Sequence, residues 1–342
     1  MPRAPYFAAM QLSLRQIGLL AGSLVMLTSS SPLAATPYEE NTSRRHWYNF
    51  FIRPAKDKPQ DQLAYADGLR AANHLSAAGK QYRLLTVFWP EAPEAAKAQL
   101  TYAQTLDQQR EWQAAFDEYT YLIEHYAGTF PYNDILQRQF EIAETLMNTP
   151  KAKFLFLPGF KSPERAVPLF EKILVHGPEW EKAPEVQYLV GLANELSQQY
   201  ELAVSAYLTT QVRYPDTPFA EKAAYNRAMC LERLAHSEPN NEAALDEAWS
   251  AMQQFAIRYP NSDKAPDVIQ HRDDLLRRRA RIAYDRARYY DTIAHQPKAA
   301  LLEYRDFVRL FPHSDWTPQA QKRIEALAHL VEPTNEKKQP GS

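Results

Sequence analysis

The chain has 342 residues, with 39 basic against 41 acidic side chains and a formal net charge of −2, so no global excess of charge points to nucleic acid or an acidic substrate. Its 9 Gly fall well below the usual share of about 7%, too few for a Gly-rich nucleotide-binding fold or a turn-dense β protein. A single cysteine, Cys230, excludes an intrachain disulfide framework.

In chain order, Arg3 and Arg15 precede an apolar run from Ile17 to Leu27, and small residues follow as far as Ala34-Ala35. Residues 1–35 therefore read as a secretory signal peptide cleaved near Ala35, with Met10 a second candidate start; the apolar run is too short to span a bilayer. Residues 36–60 mix Arg44, Arg45 and Arg53 with Trp47, Tyr48, Phe50, Phe51 and Ile52. This aromatic and basic lead-in either caps the first repeat or touches a membrane surface or partner.

A short pattern then recurs: a small residue, a large one four places on, and a closing aromatic followed by Pro. Ala78/Tyr82/Trp89-Pro90, Ala203/Tyr207/Tyr214-Pro215, Ala248/Met252/Tyr259-Pro260 and Ala300/Tyr304/Phe311-Pro312 carry it. Ala115/Tyr119/Tyr126 ends in Ala127 instead of Pro, and Ala166/Phe170/Pro178 lacks the closing aromatic. A small residue lets two helices approach, the aromatic one turn on fills the gap, and Pro stops the helix; Pro also tends to begin the next one. Repetition at this scale predicts helical hairpins in series. The pairs fall at 61–90, 94–127, 132–178 (interrupted), 184–217, 218–260, and 266–294 with 297–311. A last helix at 317–330 reads as a cap, and 331–342 as a disordered tail.

Residues 184–217 resemble a tetratricopeptide repeat, with Gly191 at the close-contact position of the first helix, then Tyr200, Ala203, Tyr207 and Pro215. The other five copies are degenerate. The expected fold is all-α, a tetratricopeptide-like helical-hairpin solenoid over 61–330 of about six repeats plus a C-terminal capping helix.

A narrower resemblance covers the C-terminal half. Arg258-Tyr-Pro-Asn-Ser262, then Leu275, Arg278, Ala280, Tyr284, Ala287, Tyr289-Tyr290, and Arg309-Leu-Phe-Pro312 resemble the BamD family of the outer-membrane β-barrel assembly machine. That family also carries an extended loop in its third repeat, matched here by the insert at 148–163. The resemblance implies a periplasmic scaffold at the inner face of the outer membrane, with the barrel-bearing subunit and unfolded outer-membrane proteins as partners. It implies no enzyme activity and no cofactor. The family's lipid anchor is a cysteine after a Leu-Ala-Ala end; here Leu33-Ala34-Ala35 is followed by Thr36, which cannot form the thioether, so attachment would run through partners.

Three sets of residues are candidates for binding. Phe154, Leu155, Phe156, Leu157 and Phe160 in the insert are too apolar to stay exposed, and either close this chain's groove or dock on another protein. Between Arg272 and Arg288 of the long helix before 297, seven Arg stand against Asp273, Asp274 and Asp285; the row Leu276, Ala280, Ala283, Ala287, Tyr290, Ala294 marks the packed side and leaves Arg277, Arg278 and Arg281 off it. Arg suits carboxylate-bearing partners, and the resemblance puts Arg278 on the family's partner-facing arginine. Thr101, Gln104, Gln187, Asn194 and Asn226 are polar groove candidates on the first helices of their pairs, since amides suit an extended backbone.

No nucleotide loop, zinc-protease motif or nucleophile elbow occurs. The nine His form no pair at helical ligand spacing, so no metal or catalytic site is expected. Cys230 lies in a helical context and reads as a small buried hydrophobe. A periplasmic adaptor in cell-division or cell-envelope coordination is the alternative function, and a repeat-bearing cell-wall enzyme an alternative of another class; the first lacks its usual N-terminal coiled coil and the second has no residues left for a catalytic domain.

Overall fold

The computed structural model describes residues 52–150, 162–239 and 241–331. Among the described residues there are thirteen α-helices, one 3-10 turn and no strand. The helices pair in chain order: α1 (Pro59–Ala71) with α2 (Leu75–Phe88), α3 (Ala95–Gln108) with α4 (Trp112–His125), and α5 (Tyr132–Asn148) with the 3-10 turn Pro163–Ala166 and α6 (Val167–His176). Then come α7 (Ala183–Leu196) with α8 (Tyr200–Arg213), α9 (Pro218–Ser237) with α10 (Glu242–Arg258), α11 (Ala265–Thr292) with α12 (Pro297–Leu310), and α13 (Thr317–Val331) closing the array against α12. Each pair also packs on the next, giving an all-α helical-hairpin array of the tetratricopeptide type.

The sequence pattern is the core. Ala78, Ala115, Ala166, Ala203, Ala248 and Ala300, and the large residues four places on, are all at most 2% exposed. In the fourth hairpin the close approach is explicit: a Cβ built on Gly191 of α7 would lie 2.5 Å from two ring carbons of Tyr207 on α8.

Both kinds of turn repeat. After each second helix, the closing residue (Trp89, Tyr126, Gly177, Tyr214, Tyr259 or Phe311) donates its N–H to the carbonyl four residues back, and its own carbonyl accepts from the N–H three residues on. Gly177 takes the aromatic's place in the third hairpin because Leu136 and the Trp180 Cβ crowd it, at 2.6 and 3.1 Å from where a Cβ would sit. Contrary to expectation, the prolines after these residues do not start the next helix. They lie in the turn, and separate prolines, Pro184, Pro218, Pro266 and Pro297, occupy the first helical turns, where a missing N–H costs nothing. Inside the hairpins, α1, α3, α7 and α11 end in a left-handed residue, Asn73, Arg110, Gln198 and His295, with φ of 51–61°. Gly normally fills this place, so the scarcity of Gly reflects turns made by other residues at some conformational cost.

α11 is the longest helix, 28 residues, and serves two hairpins. Val268 and Leu275 enter the core of α9 and α10, whereas Ala280, Ala283 and Ala287 enter that of α12 and α13. The expected packed row is therefore corrected at one position: Leu275 is buried, and Leu276 is 36% exposed. One straight apolar stripe cannot describe a helix whose contact direction changes midway.

The expected signal peptide at 1–35, the lead-in as far as residue 51, and the tail beyond 331 lie outside the described residues, as do Phe154, Leu155, Phe156, Leu157 and Phe160. The insert's flanks are described. Arg165 donates from Nε to the Leu146 carbonyl at 2.8 Å and from Nη2 to that of Thr149 at 2.6 Å, satisfying open carbonyls at the end of α5. Ser197, after α7, bonds Glu164 through both its hydroxyl and that residue's N–H.

Candidate functional site

The first helices of successive hairpins meet along a polar seam with a regular construction. Near the ends of α3, α7, α9 and α11 stands an acid, and the next first helix supplies a partner to it or, at α7, to the tyrosine it holds. Asp107 on α3 takes Arg138 of α5 in a two-pronged bond at 2.6 and 2.7 Å. Asp291 on α11 takes Arg323 of α13 at 2.8 and 2.7 Å. Glu232 on α9 meets His271 of α11 at 2.8 Å. Glu195 on α7 accepts from the Tyr207 hydroxyl at 2.7 Å, and Asn226 of α9 reaches that hydroxyl at 3.0 Å and Tyr188's at 3.2 Å. Arg138, Asn226, His271 and Arg323 each stand nineteen residues after the large core residue of the preceding hairpin: Tyr119, Tyr207, Met252 and Tyr304.

These contacts polarise the groups. Hydrogen bonding to Asp107 raises the Arg138 pKa above its ordinary range. Burial, reinforced by the neighbouring acid, drives the Tyr82, Tyr119 and Tyr207 phenols upward and that of Tyr304 to about 12. The tyrosines are thus fixed donors, and none is poised to exchange a proton near neutrality. Cys230 is fully buried, and burial pushes its thiol to about 12, which leaves no thiolate for nucleophilic chemistry.

A second device ties three of the hairpins, the first, second and fourth, internally. Gln62, Gln99 and Gln187, sixteen residues before Ala78, Ala115 and Ala203, are buried. Their Nε2 groups donate to the carbonyls of Gln81, Glu118 and Ala206 on the second helix, at 3.1, 3.0 and 3.5 Å. The groove candidates divide accordingly. Gln187 is one of these clamps. Thr101 is buried and bonds the Lys97 carbonyl at 2.8 Å, and Asn194 is buried and bonds that of Val190 at 2.9 Å. Asn226 is half-buried in the seam, and Gln104 is half-buried on α3. These five side chains do not converge on one site.

The arginine-rich helix is largely neutralised. Arg279 pairs with Asp246 of α10 at 2.5 Å, and Arg286 with Glu242 of α10 at 3.0 Å and Glu303 of α12 at 3.2 Å. Arg272 pairs with Asp273 and Arg277 with Asp274, while Arg281 and Arg288 share Asp285 at 3.7 and 3.6 Å. Arg278 is spent within the chain: its Nη2 donates to the carbonyls of Ala235 and Pro239 at 3.2 Å, closing the C-terminal end of α9. Arg277 and Arg281 are the outward pair, with side chains 71% and 73% exposed.

Arg277 also borders a cleft of about 230 Å³ whose floor is Ala280 and whose walls include Leu276, Leu310, Phe311 and Trp316. The cleft exists because α12 is half the length of α11: the first turns of α11 run past its end. Half-open and mostly apolar beside a guanidinium, it can take a bulky apolar side chain. Trp316 carries no signal in the sequence, and Leu310 and Phe311 stand out there only in the repeat pattern and the motif Arg309-Leu-Phe-Pro312, not as cleft walls. Among the described residues no group of three or more His, Cys, Asp or Glu could hold a metal ion, and no helix is long and apolar enough to cross a membrane.

No family model matches this chain, and no curated protein matches it. Solved structures that it resembles include a tetratricopeptide repeat protein from Parabacteroides merdae, at 12% identity over 79% of this chain and 98% of that one, with a TM-score of 0.27. Another is the C-terminal part of a TPR repeat-containing protein from Cytophaga hutchinsonii, at 16% identity over 83% and 96%, TM-score 0.30. A third is the TPR2AB domain of yeast Sti1, solved in an Hsp90 complex, at 13% identity over 79% and 98%, TM-score 0.23. The tetratricopeptide-type fold stands on this chain's own hairpins: the buried small-and-aromatic ladder, the repeated turns and the Gly191–Tyr207 approach.

Proposed function

We propose that this chain is a protein-interaction scaffold of the outer-membrane β-barrel assembly machinery. On this reading it acts without catalysis in the periplasm, at the inner face of the outer membrane. It binds the barrel-bearing subunit through its C-terminal hairpins and unfolded outer-membrane proteins through its N-terminal ones. A signal peptide over 1–35 delivers it, and partners hold it in place, since Thr36 stands where the resembling family has its lipidated cysteine. Holding two partners on one array raises the effective concentration of each for the other.

The observation that carries this reading is the apolar cleft beside Arg277. It lies in the stretch whose motifs resemble the BamD family, and an exposed guanidinium next to an apolar pocket is the composition of an interface anchor. Affinity capture from solubilised membranes, read by mass spectrometry, is the test. Recovery of β-barrel assembly components with the wild type, and their loss with Leu310→Asp, is expected; Leu310 is 57% exposed, so this change spares the fold. A capture free of such components would refute the assignment.

A further inference from the structure

The seams between first helices differ in what can titrate. At Asp107–Arg138 and Asp291–Arg323 the donor is a guanidinium, which keeps its charge at any accessible pH. At the joint of α9 and α11 the donor is an imidazole. His271 Nδ1 lies 2.8 Å from Glu232 Oε1, and its Nε2 is 3.6 Å from Asp267 Oδ1. The Glu232 side chain is only 12% exposed. Asp267 is held in turn by the Tyr225 hydroxyl of α9 at 3.0 Å.

The remaining charged neighbours are few. From α9, His236 Nε2 stands 3.8 Å from the same Glu232 oxygen. From α11, Asp274 lies one turn on, and Arg278 approaches His236 at 3.5 Å. α10 meets α11 on a different flank, through Gln253–Arg272 and Asp246–Arg279. His271 is therefore ringed by carboxylates on both of its nitrogens.

We propose that the α9–α11 joint is proton-sensitive: a charged His271, hydrogen-bonded to Glu232 and at ion-pair distance from Asp267, locks the last hairpin and terminal helix onto the array, and the neutral ring releases that hold. A neutral imidazole has one donor and one acceptor nitrogen. If Nδ1 donates to Glu232, the lone pair on Nε2 faces the Asp267 carboxylate. The charged ring presents an N–H to each carboxylate, hydrogen-bonded to Glu232 and attracted across 3.6 Å to Asp267. The hydrogen bond to Glu232 accordingly raises the His271 pKa, against the opposing effect of burial. A raised folded-state pKa gives stability that is complete below the unfolded value of about 6.5; it is lost as pH rises through the folded value. The effect reaches beyond the joint because α11 is the helix shared by the two C-terminal cores.

The test is hydrogen exchange on the full-length protein from about pH 6 to about pH 8.5, corrected for intrinsic exchange, with α1–α4 as internal reference. Protection in α11–α13 is expected to fall several-fold across this range in the wild type. It should stay level in His271→Arg, which installs the guanidinium found at the two neighbouring kinds of seam. Parallel profiles in the two proteins would overturn the proposal. So would an NMR titration of the wild-type His271 ring with its midpoint at or below about 6.5, a measurement that decides the matter even if the variant does not fold.

Discussion

Replacing Gly191 with Ala tests whether the small-residue grammar acts by letting α7 and α8 touch. On helix propensity alone the change should stabilise, by about 1 kcal/mol. The geometry opposes this. The new methyl would sit 2.5 Å from Cδ1 and Cε1 of Tyr207 and 3.0 Å from Cγ, so the ring must move or the helices must part. The ring has little freedom: it is fully buried, its hydroxyl is fixed to Glu195 at 2.7 Å and to Asn226 at 3.0 Å, and Tyr188 lies against it with centroids 5.6 Å apart. Overpacking costs about 1–3 kcal/mol, and loss of a bond to a charged acceptor roughly 1.5–3 kcal/mol. After the propensity gain, the net destabilisation is about 1.5–5 kcal/mol. At about 1.5–2 °C per kcal/mol for a chain this long, Tm falls by about 2–10 °C in thermal melts followed by circular dichroism.

Two controls give the experiment its sign. A Cβ on Gly79 would meet Tyr102 no closer than 3.5 Å, and one on Gly68 would meet nothing within 4 Å. Both lie in helices, so Gly79→Ala and Gly68→Ala should raise stability by up to about 1 kcal/mol. Adding Tyr207→Leu to Gly191→Ala should cost less than the sum of the two single changes, because the smaller side chain vacates the contested space. An unchanged or raised Tm in Gly191→Ala, or simple additivity in the double variant, would show that the close approach is not what Gly191 provides.

Three further outcomes are expected. Arg138→Ala strips Asp107, whose side chain is 13% exposed, of both its guanidinium bonds and should cost about 1.5–3 kcal/mol in urea unfolding; Arg138→Lys, lacking the fork, should recover only part. Gln198→Gly relieves a left-handed residue with φ of 61° and should stabilise by about 1 kcal/mol in the same assay. Cys230, buried and with its thiol pKa raised to about 12, should resist alkylation at neutral pH and react only as the array opens in denaturant, which mass spectrometry reads directly.

The hairpins were legible because their signal is local. Ala203 and Tyr207 are one turn apart, and both the close approach and the filling of its gap are properties of that turn. The closing aromatic and Pro fix the ends for equally local reasons. The seam was not legible in the same way. Arg138 and Asp107 are 31 residues apart, His271 and Glu232 39. Their common register, nineteen residues after a large core residue, appears only once the hairpin geometry makes that offset a distance across two first helices. The same limit governs charge: seven Arg against three Asp between Arg272 and Arg288 of α11 predicted a cationic face, but Asp246, Glu242 and Glu303 arrive from other helices to neutralise it.

The amides show the converse error of reading polarity as exposure. A Gln is expected at a surface, yet it can be buried where a neighbouring helix offers carbonyl oxygens to its amide nitrogen. Gln62, Gln99 and Gln187 do this at one register, so a polar residue recurring in step with a buried small one marks a clamp rather than a groove. That criterion separates the two classes of polar position on first helices: those in step with the repeat are consumed by the fold. Under the proposed function, contacts to a partner would then fall to positions out of step. On α11 the exposed ones are Arg277 and Arg281, beside the stretch where the helix outruns its own hairpin and leaves Leu276 and Leu310 exposed.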